Sequence, residues 1–243
     1  MTTIYKIAER NIRVTSLHAY VHRLCGAYQT DETAVDFSVS VTQADIDFER
    51  EKSAQEQHPD TGLCTAPDDY LETLAVYRQI AEQMPRYDTV LIHGSCVAVD
   101  GIGYLFVAPS GTGKSTHTRL WRERFSERAV MINDDKPLVR VTETGAVIYG
   151  TPWDGKHRLS TNTAVPLKAI CRLERGDENR IAPMTAKEAY PTFLQQVYRP
   201  ADVAATEQTL TLIDRLITRV GLWRLSCNMD PEAALVAYDA MKG

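Results

Sequence analysis

The chain has no CxxC pair, no internal repeat and no low-complexity segment. Its five cysteines, Cys25, Cys64, Cys96, Cys171 and Cys227, are odd in number and scattered. That pattern argues against a disulfide framework and points to reduced thiols in a cytoplasmic protein. No stretch approaches the roughly 20 apolar residues of a membrane span. Lys6 and Arg10 near the start are not followed by an apolar run, so no signal peptide is read, and the chain is expected to be complete. Positive charge is not in excess either. Lys and Arg number 27 against 32 Asp and Glu, a net charge of −5. This argues against broad nucleic-acid binding, which depends on a basic surface that displaces counterions. Histidines are few. His18 and His22 have i,i+4 spacing, but no third ligand accompanies them, so no zinc site is read.

What the chain does have is an ordinary globular composition, 44% apolar and 24% charged. A chain of 243 residues buries roughly 70% of its unfolded surface and needs no covalent staple. The pattern divides it in two. Residues 1–85 form a β-rich subdomain ending in a helix, and residues 86–243 form the core. In the first part Phe37, Val39 and Val41 alternate with polar residues, the period of a half-buried strand. Residues 44–53 suggest a short helix, 54–68 a surface loop, and 70–84 a helix preceded by Asp68 and Asp69 as caps and stopped by Pro85. In the core, 89–99 and 103–108 read as two strands of a hairpin joined by Asp100-Gly101. A helix follows over 114–125, then strands near 129–133, 137–142, 146–149 and 168–173. Helices near 185–198 and 206–219, a strand at 220–227 and a helix at 231–241 complete it. Strict β-α-β-α alternation is absent, so the expected class is α/β with α+β character, built on a mixed sheet.

The chemistry begins at residues 108–116, Ala-Pro-Ser-Gly-Thr-Gly-Lys-Ser-Thr. This fits G-x-x-x-x-G-K-[ST] except that Ala108 replaces the first glycine. Gly111 and Gly113 can turn successive N–H groups into one concave nest, at the positive end of the next helix. Ser110, Gly111, Thr112, Gly113, Lys114, Ser115 and Thr116 are therefore read as a nucleotide-phosphate site. Lys114 would neutralise phosphate charge and Ser115 would bind Mg²⁺. The apolar run Tyr104–Val107 before the loop supplies the strand that such a loop needs.

Two further features flank it. The apolar run Ala129–Ile132 leads through Asn133 to Asp134-Asp135, which suits a second magnesium anchor and also suits a turn. If strand geometry persists, the two carboxylates face opposite sides. His93, in Leu-Ile-His-Gly-Ser, falls on the first hairpin strand, and the turn brings it back toward the loop. Gly94 would allow close backbone approach.

Together His93-Gly94, the hairpin, Ser110–Ser115 and Asp134-Asp135 resemble the HPr kinase/phosphorylase family, whose P-loop fold is shared with phosphoenolpyruvate carboxykinases. The likeness covers residues 88–136 and is closest to the small HPr kinase-like proteins. It implies a mixed-sheet P-loop core, ATP and Mg²⁺ as cofactors, and a homo-oligomer. It also implies roles: His93 and Lys114 beside the transferred phosphoryl group, Ser115 and Asp134 on the metal, and Asp135 as the base toward an acceptor hydroxyl. The family's second acidic ligand and its basic C-terminal signature have no counterpart here.

Residues 150–158, Gly-Thr-Pro-Trp-Asp-Gly-Lys-His-Arg, form a second candidate cluster. Lys156, or else Arg158, could stabilise charge on the moving phosphoryl group, and Asp154 could bind metal or orient a neighbour. The alternative is a β-turn with Trp153 packed on the core. His117 reads equally as a group near the nucleotide or as a helix-surface residue. The charges at 172–178 read as a solvated face. The expected activity is a kinase that transfers phosphate from ATP, another nucleotide or pyrophosphate to a hydroxyl on a small molecule, peptide or protein serine. The other reading is a nucleotide-hydrolysing switch or assembly protein without a phosphorylated acceptor.

Overall fold

The computed structural model describes residues 1–57 and 63–243, the side chains of 56 and 57 excepted. The chain divides into two compact units, Met1–Gln83 and Met84–Gly243. The architecture is mixed α/β, with a mixed sheet in the second unit and a small β region in the first.

The first unit has strands β1 (Thr2–Ile7), β2 (Arg10–Thr15) and β3 (Phe37–Ser40) in that spatial order. β1 and β2 form a hairpin whose turn residues Ala8 and Glu9 both have positive φ. β3 runs parallel to β2, with Val39 buried as its alternation requires. Helices α1 (Tyr20–Leu24), α2 (Gln43–Gln57) and α3 (Asp68–Gln83) follow the same chain order. α2 is longer than its charged sequence suggests and takes in residues 54–57 of the expected loop, of which 58–62 lie outside the described residues. Arg78 of α3 holds it, bonding to Asp45 at 3.1 Å and Glu49 at 2.6 Å. Glu72, fully buried, accepts from the backbone N–H groups of Leu17 and His18, so its charge is compensated by hydrogen bonds.

The second unit contains β4 (Thr89–Leu91), β5 (Ser95–Val99), β6 (Ile102–Val107), β7 (Ala129–Asn133), β8 (Leu138–Val141), β9 (Ala146–Tyr149), β10 (Ala164–Arg175), β11 (Arg180–Pro183) and β12 (Gly221–Cys227). They form one sheet in the order β4-β8-β9-β10-β6-β5-β7, with β12 pairing β10 and β11. β6, β10 and β12 are parallel to one another, and the remaining pairs are antiparallel. Asp100 (φ 52°) and Gly101 (φ 77°) make the expected tight turn between β5 and β6. The other expected strands and helices of this unit form within a few residues of their expected limits, and β11 is an addition.

The central strands are buried on both faces. Cys96, Ala98, Leu105 and Val107 enter one core, shared with α5 (Ala186–Gln196) and α6 (Val203–Ile217). Val97, Val99, Tyr104 and Phe106 enter the other, shared with α4 (Lys114–Phe125) and α7 (Glu232–Met241). That is why β5 and β6 read as unbroken apolar runs rather than alternating ones. Thr185 caps α5 in a reciprocal capping box with Glu188, and Asp202 caps α6 through Ala205 N at 2.9 Å. Each cap is worth about 1 kcal/mol.

His117 belongs to this second core and not to the nucleotide side or the helix surface. It is 2% exposed and lies against Phe106 and Trp121. Trp121 Nε1 donates to its Nε2 at 3.0 Å, and its Nδ1 is buried with no hydrogen-bond partner among the described residues. The imidazole is therefore neutral, and burial pushes its pKa down to about 4. An unfolded histidine takes up a proton near pH 6.5, whereas the folded one resists until about pH 4. Stability from this residue is thus full above pH 6.5 and is lost as pH falls toward 4, by roughly 3 kcal/mol. Denaturant midpoints at pH 7.5 and 4.5 are expected to differ less in His117→Gln than in the wild type. Equal differences would remove His117 as a cause.

Candidate phosphate-binding site

Topology assembles the site at one edge of the sheet. β5 is antiparallel to both β6 and β7, so β6 and β7 end at the edge where β5 begins. β6 ends in the loop 108–116, β7 ends at Asp134-Asp135, and His93-Gly94 leads into β5. Outside the carboxyl ends of parallel strands is where open α/β sheets hold ligands.

The loop has the backbone form of an anion nest. Gly111 and Gly113 have φ of +77° and +122°, a region that L side chains rarely adopt. Thr112 N donates to Pro109 O at 3.3 Å, closing a turn. The N–H groups of Gly111, Gly113, Lys114, Ser115 and Thr116 have no hydrogen-bond partner among the described residues. Such donors at a helix start are what a phosphate needs. Lys114 is 8% exposed, and its Nζ donates to Ala108 O at 2.8 Å and Pro109 O at 3.4 Å. Burial lowers its pKa, opposed by the charges of Asp135 and Asp134. Ser110 is exposed at the rim of the loop, and Thr116 lies in the first turn of α4.

The acidic pair is held by a turn and not by continued strand alternation. Asn133, fully buried, accepts with Oδ1 from Asp135 N at 2.8 Å and Lys136 N at 2.7 Å. Its Nδ2 donates to Thr151 O at 3.1 Å, Thr151 Oγ1 at 3.0 Å and Trp153 O at 3.3 Å. One amide thus ties the Asp-Asp turn to the loop 150–158. Gly150 allows this approach, since a Cβ there would sit 1.9 Å from Thr161 O and 2.7 Å from Ile132 O.

The two carboxylates have different surroundings. Asp134 is 7% exposed and accepts from Ser95 Oγ at 2.6 Å. Thr118 Oγ1 lies 2.9 Å from the same Ser95 oxygen. Ser95 spends its proton on Asp134, so Thr118 is the donor to Ser95. A buried chain therefore runs from α4 to Asp134. Asp135 is more open, with Oδ1 3.6 Å from His93 Nε2 and Oδ2 3.3 Å from Lys136 Nζ.

His93 is not on a continuous strand, as the hairpin pattern suggests. Residues 92–94 separate β4, which pairs with β8, from β5. Ile92 N and Gly94 N donate to Pro137 O and Asp135 O at 3.2 and 3.0 Å, while His93 N donates to Gln196 O at 2.7 Å. A Cβ on Gly94 would lie 2.9 Å from Phe106 O, so close approach does require glycine there. Burial lowers the His93 pKa, the nearby Lys114 charge adds to this, and Asp135 opposes it.

The second cluster is brought only partly to this site. A Cβ on Gly155 would lie 3.3 Å from Asp135 Cβ, so the loop passes beside the acidic pair. Lys156 is exposed and makes no ion pair with any described residue. Asp154, 5% exposed, orients its own loop: it accepts from Arg158 Nη1 at 3.2 Å and from Ser160 N and Oγ at 3.1 and 3.0 Å. Trp153 is buried.

The donor set suits Mg²⁺, which takes hard oxygen ligands and keeps water and phosphate oxygens in its shell. No cluster of three or more His, Cys, Asp or Glu able to hold a metal occurs among the described residues. The Ser115 hydroxyl and the second Asp134 carboxylate oxygen have no hydrogen-bond partner among them. Sequence reasoning did not single out Ser95, Gln196, Thr151 or the anchoring role of Asn133. The one available signal was Ser95 itself, a small polar residue heading an apolar strand.

None of the described helices is long and apolar enough to cross a membrane. No curated protein matches the chain. Among solved structures, the HPr(Ser) kinase/phosphatase from Coxiella burnetii aligns over 63% of this chain and 99% of its own, at 11% identity and a TM-score of 0.34. The family described as SynChlorMet cassette protein ScmC matches residues 68–201, more than half of the chain, and the chain belongs to that family.

Proposed function

We propose that the protein is an ATP- and Mg²⁺-dependent phosphotransferase acting on a hydroxyl of a small molecule, peptide or protein serine. The observation that carries this reading is that Asp135, 3.6 Å from His93, and Asp134 lie near enough to Lys114 for their charges to act on it, beside a loop of N–H groups without partners among the described residues. A phosphate loop by itself supports binding only. A carboxylate beside it, open to solvent and held in place through its own backbone, supports transfer. On this reading the nest and Lys114 bind the β- and γ-phosphates. Ser115 and Asp134 hold Mg²⁺, which supplies charge neutralisation to the phosphates. Asp135 accepts the proton of the acceptor hydroxyl as that oxygen bonds to the γ-phosphorus and ADP leaves. His93, neutral at pH 7 by its lowered pKa, donates a hydrogen bond to the transferring group without adding a fixed charge. Lys156, exposed on the loop that passes beside Asp135, would act on the same group. The contribution of these residues is positioning and electrostatics, as phosphoryl transfer demands.

The test is incubation with γ-labelled ATP and Mg²⁺ against pools of hydroxyl metabolites, peptides and seryl proteins. The expected result is ADP formation matched by label on one class of acceptor. Tight MgATP binding with slow release of inorganic phosphate, and no labelled acceptor, would replace this reading with that of a nucleotide-dependent switch. Absence of nucleotide binding would overturn both.

A further inference from the structure

The charged run 172–178 reads from sequence as a solvated face, yet Arg175 does something else. β10 is parallel to β6 and runs past it: Arg172 pairs with Val107, the last residue of β6. Arg175 therefore lies three residues beyond that strand end, alongside the phosphate loop. Its Nη2 donates to Gly111 O at 2.6 Å and its Nε to Thr112 O at 3.5 Å.

Those two carbonyls belong to the peptide units on which the nest depends. A trans peptide unit is planar, with its C=O and N–H pointing in opposite directions. Gripping the Gly111 and Thr112 carbonyls from outside turns the N–H groups of the same units, those of Thr112 and Gly113, the other way. The first closes the turn on Pro109 O. The second has no partner among the described residues and is directed away from Arg175. Two glycines make this the part of the loop with most conformational freedom to lose, so it needs an external hold. A guanidinium can grip two neighbouring acceptors with one rigid fork, and a lysine cannot.

We propose that Arg175 is a positioning residue of the phosphate loop, fixing its outer carbonyls so that the amide donors are set before phosphate arrives. This rests on the reading of the loop as a nucleotide-phosphate site. The test uses the full chain as wild type, Arg175→Ala and Arg175→Lys. It measures MgADP and MgATP affinity by calorimetry, and amide hydrogen exchange of residues 110–116 without nucleotide. In Arg175→Ala both affinities are expected to fall together by about tenfold, the loss of a charge-assisted hydrogen bond. The Thr112 amide, which donates to Pro109 O, is expected to exchange faster, with the thermal midpoint unchanged because the Arg175 side chain is exposed. Arg175→Lys should recover part of both. Wild-type affinity and exchange in Arg175→Ala would overturn the proposal. So would a loss confined to MgATP, which would put the guanidinium on the terminal phosphate instead of the loop. If the wild type binds neither nucleotide, the nucleotide reading fails, and loop exchange in Arg175→Ala still decides the positioning role.

Discussion

Replacing Lys114 with alanine is expected to abolish nucleotide binding while leaving the nucleotide-free protein as stable as the wild type, or more so. The two effects share a cause. Lys114 is nearly buried, and the fold disfavours its charged form, since burial outweighs the pull of Asp135 and Asp134 on its pKa. Below the ordinary lysine pKa, an ammonium whose folded pKa is lowered subtracts from stability. Its hydrogen bonds to Ala108 O and Pro109 O offset only part of that. On the proposed reading the charge is well placed only when phosphate arrives, so binding and not folding would account for its presence, as in other sites that exchange stability for activity. In wild type, MgADP at about 100 times its Kd should stabilise the fold by about 2.7 kcal/mol. In Lys114→Ala that shift should vanish, and transfer should fall by a factor on the order of 10³. Thermal melts with and without MgADP make the measurement. A variant that still shifts like wild type would remove Lys114 from the phosphate site.

Much of the core was legible because its signals are local. Asp100-Gly101 between apolar runs specifies the β5–β6 turn, and the glycines and lysine of the loop specify a strand–loop–helix step whose helix begins at Lys114. The two-faced burial of β5 and β6 is written in their unbroken apolar runs. What escaped notice depends on which strands become neighbours. The break at residues 92–94 is held by partners from two distant places, Asp135 and Pro137 on one side and Gln196 on the other. No periodicity announces such a switch. Asn133 looks like a turn residue, and it is one, but its second half anchors residues eighteen and twenty positions on. Arg175 looks solvated until β10 is known to lie beside β6 and outrun it. His117 failed differently. Its position one turn from Lys114 suggests the nucleotide, but that face of α4 packs on Phe106. A polar residue on a buried helical face reads like a surface one when only its type is considered.

The sharper test of transfer, as opposed to binding, is Asp135→Asn. The change keeps the shape of the side chain and removes its capacity to take a proton. Its backbone is fixed independently of the carboxylate, through Asn133 Oδ1 on its N–H and Gly94 N on its carbonyl. The turn, and Asp134 with its bond from Ser95, should therefore survive. Nucleotide affinity should hold or tighten, because a negative charge near the phosphates has been removed. Phosphoryl transfer to the acceptor should fall by a factor of about 10² to 10⁴, the usual share of a positioned general base. His93 gives an internal check on geometry. Asp135 raises its pKa against burial and the Lys114 charge, so removing the carboxylate should lower that pKa further. NMR titration of the imidazole would record this in the absence of any acceptor. A lowered His93 pKa with near-wild-type turnover would show that Asp135 is placed as described but is not the base. A lowered pKa with turnover lost and affinity kept is the result that separates a phosphotransferase from a protein that only holds nucleotide.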